Sequence, residues 1–240
     1  MTFRPLLWPT LFASFALIIL VALGNWQMAR LEWKDALIAG VERGLAAGPA
    51  PIPAPESWSD INLADLRYTH ATATGRFNHD AEIHIYMPSL DGEPGYHVVT
   101  PFEMTSSGWL LVDRGFVPIN RKDAATRAAG QVVGEVSVSG ILVSPDEANA
   151  FTPEPDLAAN IWYHRPIAEI AQVVGISPVF PLMLDAEAAP GRGQLPIGGQ
   201  TRIELENPHL GYALTWYGLA GTLIAIWLAL HISRGRFRLN

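Results

Sequence analysis

Apolar positions divide the chain into three regimes. Residues 6–23 are apolar apart from Pro9 and a few mildly polar side chains, and residues 210–230 carry no charge at all. Each run is close to the ~20 residues an α-helix needs to cross a bilayer. Between them lie short segments rich in Val, Ile, Thr and aromatics, punctuated by Gly, Pro, Asn and Asp. This pattern predicts strands over residues 68–77, 82–87, 96–104, 109–118 and 132–143, with Ser106-Ser107-Gly108 as a hairpin turn. A short helix is expected over 166–174, stopped by Gly175, and a last strand over 179–184.

The first apolar run has two readings. Ala22-Leu23-Gly24 offers the small residues of a signal-peptide cleavage site, whereas the length of the run, flanked by Trp8 and Trp26, suits a retained anchor. Beyond it, Trp26, Arg30 and Trp33 share a helical face, and Trp33, Leu37, Val41 and Leu45 continue an apolar stripe. That face reads either as an interfacial belt with a snorkelling arginine or as a surface meeting the second helix or a partner. The expected organisation is a first membrane helix and its exit (6–29), an amphipathic juxtamembrane helix (30–48) and a Pro-rich, extended linker (49–57). A β-rich domain (58–187), a loop (188–206), a second membrane helix (207–231) and a basic tail (232–240) follow. Asn207 and Pro208 suit the N-cap and first position of the second helix. The fold class is a membrane protein with two transmembrane α-helices flanking an α+β, mainly antiparallel extracytoplasmic domain. Arg4 at one end and Arg234, Arg236 and Arg238 at the other place both termini on the cytoplasmic or matrix side.

Composition removes several functions. A net charge of −7 argues against binding nucleic acid through phosphate neutralisation. The absence of cysteine excludes disulfides, thiolate metal sites and covalent c-type haem attachment. No G-x-S-x-G elbow, Walker loop or H-E-x-x-H motif appears, and Asp146-Glu147 reads as a solvated loop pair, so no enzyme is expected.

Five blocks carry a resemblance. Gly24-x-Trp26-Gln27-x-x-Arg30-x-x-Trp33-Lys34, the stretch from Gly95 to Pro101, the stretch from Leu111 to Pro118, Asn160-x-Trp162, and Asn207-x-His209-Leu210-x-Tyr212-Ala213-x-Thr215-Trp216 occur in this order. Together they resemble the surfeit locus protein 1 family, the cytochrome c oxidase assembly factors. Phe116 stands where that family usually has tryptophan, and Asp113 where asparagine is common. The resemblance implies a retained first anchor, an inner-membrane location and a periplasmic central domain (intermembrane space in a mitochondrion). It also implies a role in maturing subunit I of haem-copper oxidase alongside other oxidase assembly factors, with haem a as cargo and membrane lipid as surroundings.

A haem carrier needs an axial ligand, an apolar slot and a base for the propionates. The resemblance supports His209 as the iron ligand. Tyr212 and Trp216 follow it at i+3 and i+7 and would wall a slot; Arg30 would pair with a propionate if its face, with Trp26, meets the His209 face. The competing reading is a cofactor-free scaffold for nascent subunit I. His231 reads as an ordinary interfacial histidine. His70, His79, His84 and His97 lack metal-motif spacing, and His84 alternates with Ile83 and Ile85 and so should face the other way. His164-Arg165-Pro166 reads as turn chemistry, and Asp113-Arg114-Gly115 as a strand-end turn or salt bridge.

Overall fold

The computed structural model describes residues 2–146, 148–188, 194–203 and 206–238; Glu147, part of the 188–206 loop and the last two tail residues lie outside the described residues. In chain order the elements are β1 (Thr2–Phe3), α1 (Leu7–Ala46), β2 (Ala50–Pro51), α2 (Leu63–Leu66), β3 (His70–Phe77), β4 (Ile83–Tyr86), β5 (Gly95–Met104) and β6 (Trp109–Pro118). β7 (Val136–Val143), β8 (Ile161–Trp162), α3 (Ile167–Val174), β9 (Val179–Ala186), α4 (His209–Ser233) and β10 (Phe237–Arg238) complete them. Two compact units result: Met1–Gly40 with Glu204–Asn240, and Val41–Ile203.

The Val41–Ile203 unit is built on a closed barrel. Around the ring, β3 pairs with β7, β7 with β9, β9 with β6, β6 with β5, and the end of β5 returns to β3. The opposite end of β5 pairs with β4, which β8 extends. Leu110 and Val112 point inward with Phe102, Leu142, Phe180, Leu182 and Leu184. Their neighbours Leu111 and Met183 point outward, under α3, with Ile85, Val99, Trp162 and Ile170. Because the strands bury both faces, they read as nearly unbroken apolar runs rather than alternating ones. Gly175, at φ +74°, ends α3 as the sequence suggests.

Three expectations need correction. The sheet is mixed rather than mainly antiparallel: β2–β3, β4–β8 and β6–β9 are parallel pairs. The chain leaves the barrel after β7 and returns through α3, so β9 enters between β7 and β6 running with β6. The Pro-rich segment is not a free spacer. β2 pairs with β3, the Ile52 amide donates to Thr72 O at 3.1 Å, and the Ile52 side chain joins the barrel core. Finally, the membrane helix and the juxtamembrane helix are one helix of 40 residues, because no proline interrupts the chain between Pro9 and Pro49.

In the other unit, α1 and α4 are each long and apolar enough to cross a membrane. α4, at 25 residues, extends about 37 Å, more than a hydrocarbon core of about 30 Å. β1 and β10 pair antiparallel, which joins the two chain ends.

Candidate functional site

Small residues let α1 and α4 approach closely. Ala213 and Ala220 are buried, and Gly24 lies so near the Tyr217 ring that a Cβ there would stand 2.4 Å from it. Tyr217 Oη donates to Asn25 Oδ1 at 2.7 Å. At the start of α4, His209 Nδ1 lies 2.6 Å from Oε1 of the buried Gln27. An amide oxygen only accepts, so Nδ1 carries the proton and donates, which leaves the Nε2 lone pair as the ring's ligating position.

Asn207 does not cap α4. Pro208 occupies the N-cap without a side-chain bond, while Asn207 Nδ2 donates to Leu31 O at 3.1 Å and to Asp35 Oδ1 at 2.8 Å. The residue that reads as a cap is instead a cross-link to α1.

The proposed haem residues are only partly brought together. Half-buried His209 has Gln27 as its partner, Trp216 is half-buried and Tyr212 is exposed. Trp26 is exposed, and the Arg30 guanidinium stacks on Trp33, 4.4 Å from the ring centroid. The face of α1 that meets α4 carries Gly24, Gln27 and Asp35, so the Trp26/Arg30 face does not meet His209 as expected. At 100° per residue Trp26 and Arg30 fall on its flank. The structure therefore fixes one tautomer of His209 and leaves Arg30 stacked on Trp33.

The far end of the pair holds a second, unexpected joint. His231 is fully buried. Its Nε2 accepts from the Leu6 amide at 3.1 Å, its Nδ1 donates to Trp227 O at 2.8 Å, and its ring packs on Trp227. Trp227 Nε1 in turn donates to Thr10 Oγ1 at 3.2 Å.

The barrel buries two charged networks. Asp113 lies within β6, not at its end, and stands in register opposite Asp185 on β9. Arg165 bridges the two, donating to Asp185 Oδ1 at 2.9 Å and Asp113 Oδ2 at 3.1 Å. His97 Nδ1, at 2.8 Å, and the Gly115 amide, at 2.9 Å, also serve Asp113. Burial opposes ionisation of both carboxyls. His97, Arg165 and the Gly115 amide nevertheless hold Asp113 below the usual carboxylate range. Among the described residues the Asp185 side chain pairs with Arg165, and burial pushes it up to about 6 with Asp113 adding to the rise.

In the second network, His84 faces away from Ile83 and Ile85 as expected. It is buried, however, with Glu82 and Arg127, which pair with each other. Burial lowers its pKa to about 4. Among the described residues no group of three or more His, Asp or Glu side chains is arranged to hold a metal ion.

Residues 14–221 match the SURF1 family. Surfeit locus protein 1 of Mus musculus is 38% identical over 231 residues, covering 88% of this chain and 72% of the relative. Surfeit locus protein 1 of Takifugu rubripes is 34% identical over 229 residues, covering 88% of this chain and 92% of the relative. A SURF1-like protein of Monosiga brevicollis is 34% identical over 229 residues, covering 91% and 85%. A family match over most of the chain, joined to relatives aligned along most of their own length, has one meaning: this chain belongs to the SURF1 family.

Proposed function

We propose that this chain is a membrane-anchored, non-catalytic assembly factor for haem-copper oxidase, which holds haem a transiently on His209 and passes it to oxidase subunit I. The single observation carrying the cargo role is the 2.6 Å bond from His209 Nδ1 to Gln27, which presents Nε2 for iron. One protein ligand at an open helix-pair surface suits release better than a closed two-ligand site. Other oxidase assembly factors would act beside it, with lipid around α1 and α4. Both helices cross the inner membrane in this reading. The paired termini, β1 on β10, then lie together on the cytoplasmic (or matrix) side, and the barrel lies in the periplasm or intermembrane space.

A scaffold that stabilises nascent subunit I without a cofactor is the second reading. It is favoured by an aromatic surface on the barrel, where exposed Tyr86 packs on Tyr163 with ring centroids 6.3 Å apart, and Leu90 is also exposed. An optical spectrum of protein purified from cells that make haem a separates the two. We expect an a-type spectrum that is lost in His209→Ala. Unchanged oxidase dependence on the protein with no haem in either sample selects the scaffold.

A further inference from the structure

We infer that the cleft between the amino-terminal half of α1 and the carboxy-terminal half of α4 takes the farnesyl tail of haem a while His209 holds the iron. The inference rests on the cargo role proposed above and assigns it a second subsite. The cleft has a volume of about 220 Å³ and is walled by Ala13, Leu17, Leu223, Ile224 and Trp227, with Thr10 at its end. Its side-chain polar groups are few: Thr10 Oγ1 accepts from Trp227 Nε1, and Ser14 adds one more hydroxyl. The rest is uncharged aliphatic and aromatic surface, suited to a branched hydrocarbon and offering no counter-charge to an ionic ligand. Ala13 and Ser14 create the space, because side chains this small leave a gap opposite Leu223 and Ile224.

Position selects the occupant. Gln27, the partner of His209, and Leu17, the cleft residue nearest to it along α1, are ten residues apart on one unbroken helix, or about 15 Å. An extended chain of farnesyl length, attached to the edge of a porphyrin ligated at His209, spans that separation along the same helix pair. A lipid acyl chain also fits the chemistry, but a tail tethered to a bound porphyrin enters at a high effective concentration. The cleft would then discriminate among haems: haem a and haem o carry the tail and haem b does not.

The test is equilibrium titration of the full chain in lipid nanodiscs with haem a, haem o and haem b, read by absorbance. We expect wild type to bind haem a and haem o at least about tenfold more tightly than haem b. Ala13→Trp, which fills the cleft, should remove that advantage while leaving haem b affinity unchanged, and Ile224→Trp fills it from the opposite wall. Retained haem b binding certifies that a variant is folded, and partition of the tail into bulk lipid is indifferent to either substitution. His209→Ala should weaken all three haems. Equal affinity for haem b and haem o in wild type means a lipid chain only and overturns the tail site with the ligand role intact. So does an undiminished haem o advantage in both filled variants. Full binding by His209→Ala overturns the ligand role and the tail site together.

Discussion

Asp113 and Asp185 face each other on neighbouring parallel strands, where like charges repel, and the barrel tolerates them because Arg165 lies between them. Replacing Arg165 with Met keeps bulk but strands two buried carboxyls, so we expect a loss of about 3–5 kcal/mol in denaturant unfolding. A loss below about 1 kcal/mol would mean that the network is solvated rather than sealed. The salt-bridge reading of Asp113 holds, but its partners do not announce themselves in sequence. Asp113 and Asp185 each follow an apolar run and look like strand ends, and Arg165 sits in a His-Arg-Pro turn. The usable signal was an acid inside two continuous buried strands, which requires a cation from elsewhere in the chain. His84 supplies a pH test. Its ring takes a proton near 6.5 when unfolded but only near 4 when folded. Between those values the unfolded chain binds the extra proton, so stability is whole above pH 6.5 and falls as pH drops toward 4. The difference is on the order of 3 kcal/mol. Asp185, raised to about 6, works with the opposite sign over much of this range, so the difference between variant and wild type is what isolates His84. In urea titrations the stability of His84→Gln relative to wild type should rise as pH falls from 6.5 toward 4.

For whole elements, the helix pair shows what periodicity can and cannot specify. Composition identified both long apolar helices, because their length and lack of charge are local properties. It did not fix which face of α1 meets α4. Tryptophan and arginine drew attention to the Trp26/Arg30 stripe, whereas close approach required the smallest residue, Gly24, and a buried amide, Gln27. Asn207 reads as a cap for a related reason, since capping preference is local and its cross-link to Leu31 and Asp35 is not. Gly24→Val should overlap the Tyr217 ring and push the helices apart. Spin-label distances between α1 and α4 in nanodiscs should lengthen in that variant and recover in Gly24→Val/Tyr217→Ala. Lengthening without recovery would place the fault in α1 itself.

In the molecule as a whole, strand positions were legible and their arrangement was not. Trp109–Pro118 matches its expected range, because turn residues and β-branched runs mark strands locally. Closure of the ring depends on pairings such as Gly75 with Met104 and Val143 with Met183, which unite segments far apart in sequence and leave no local trace. Nor could composition reveal that Ile52, in a proline-rich stretch, belongs to the barrel core.

That topology also dictates an order of events during synthesis. The strand between β6 and β7 is β9, the last of the barrel to emerge, with α4 following it. Until β9 arrives, β6 and β7 each present an unpaired edge, the form most able to recruit a foreign strand. The barrel therefore closes only after every one of its other strands has been made, and long-range pairings of this kind form slowly. A ribosome that stalls or terminates before Val179 releases not a smaller barrel but an open sheet tethered to a long apolar helix, a substrate for proteolysis rather than a partially working protein.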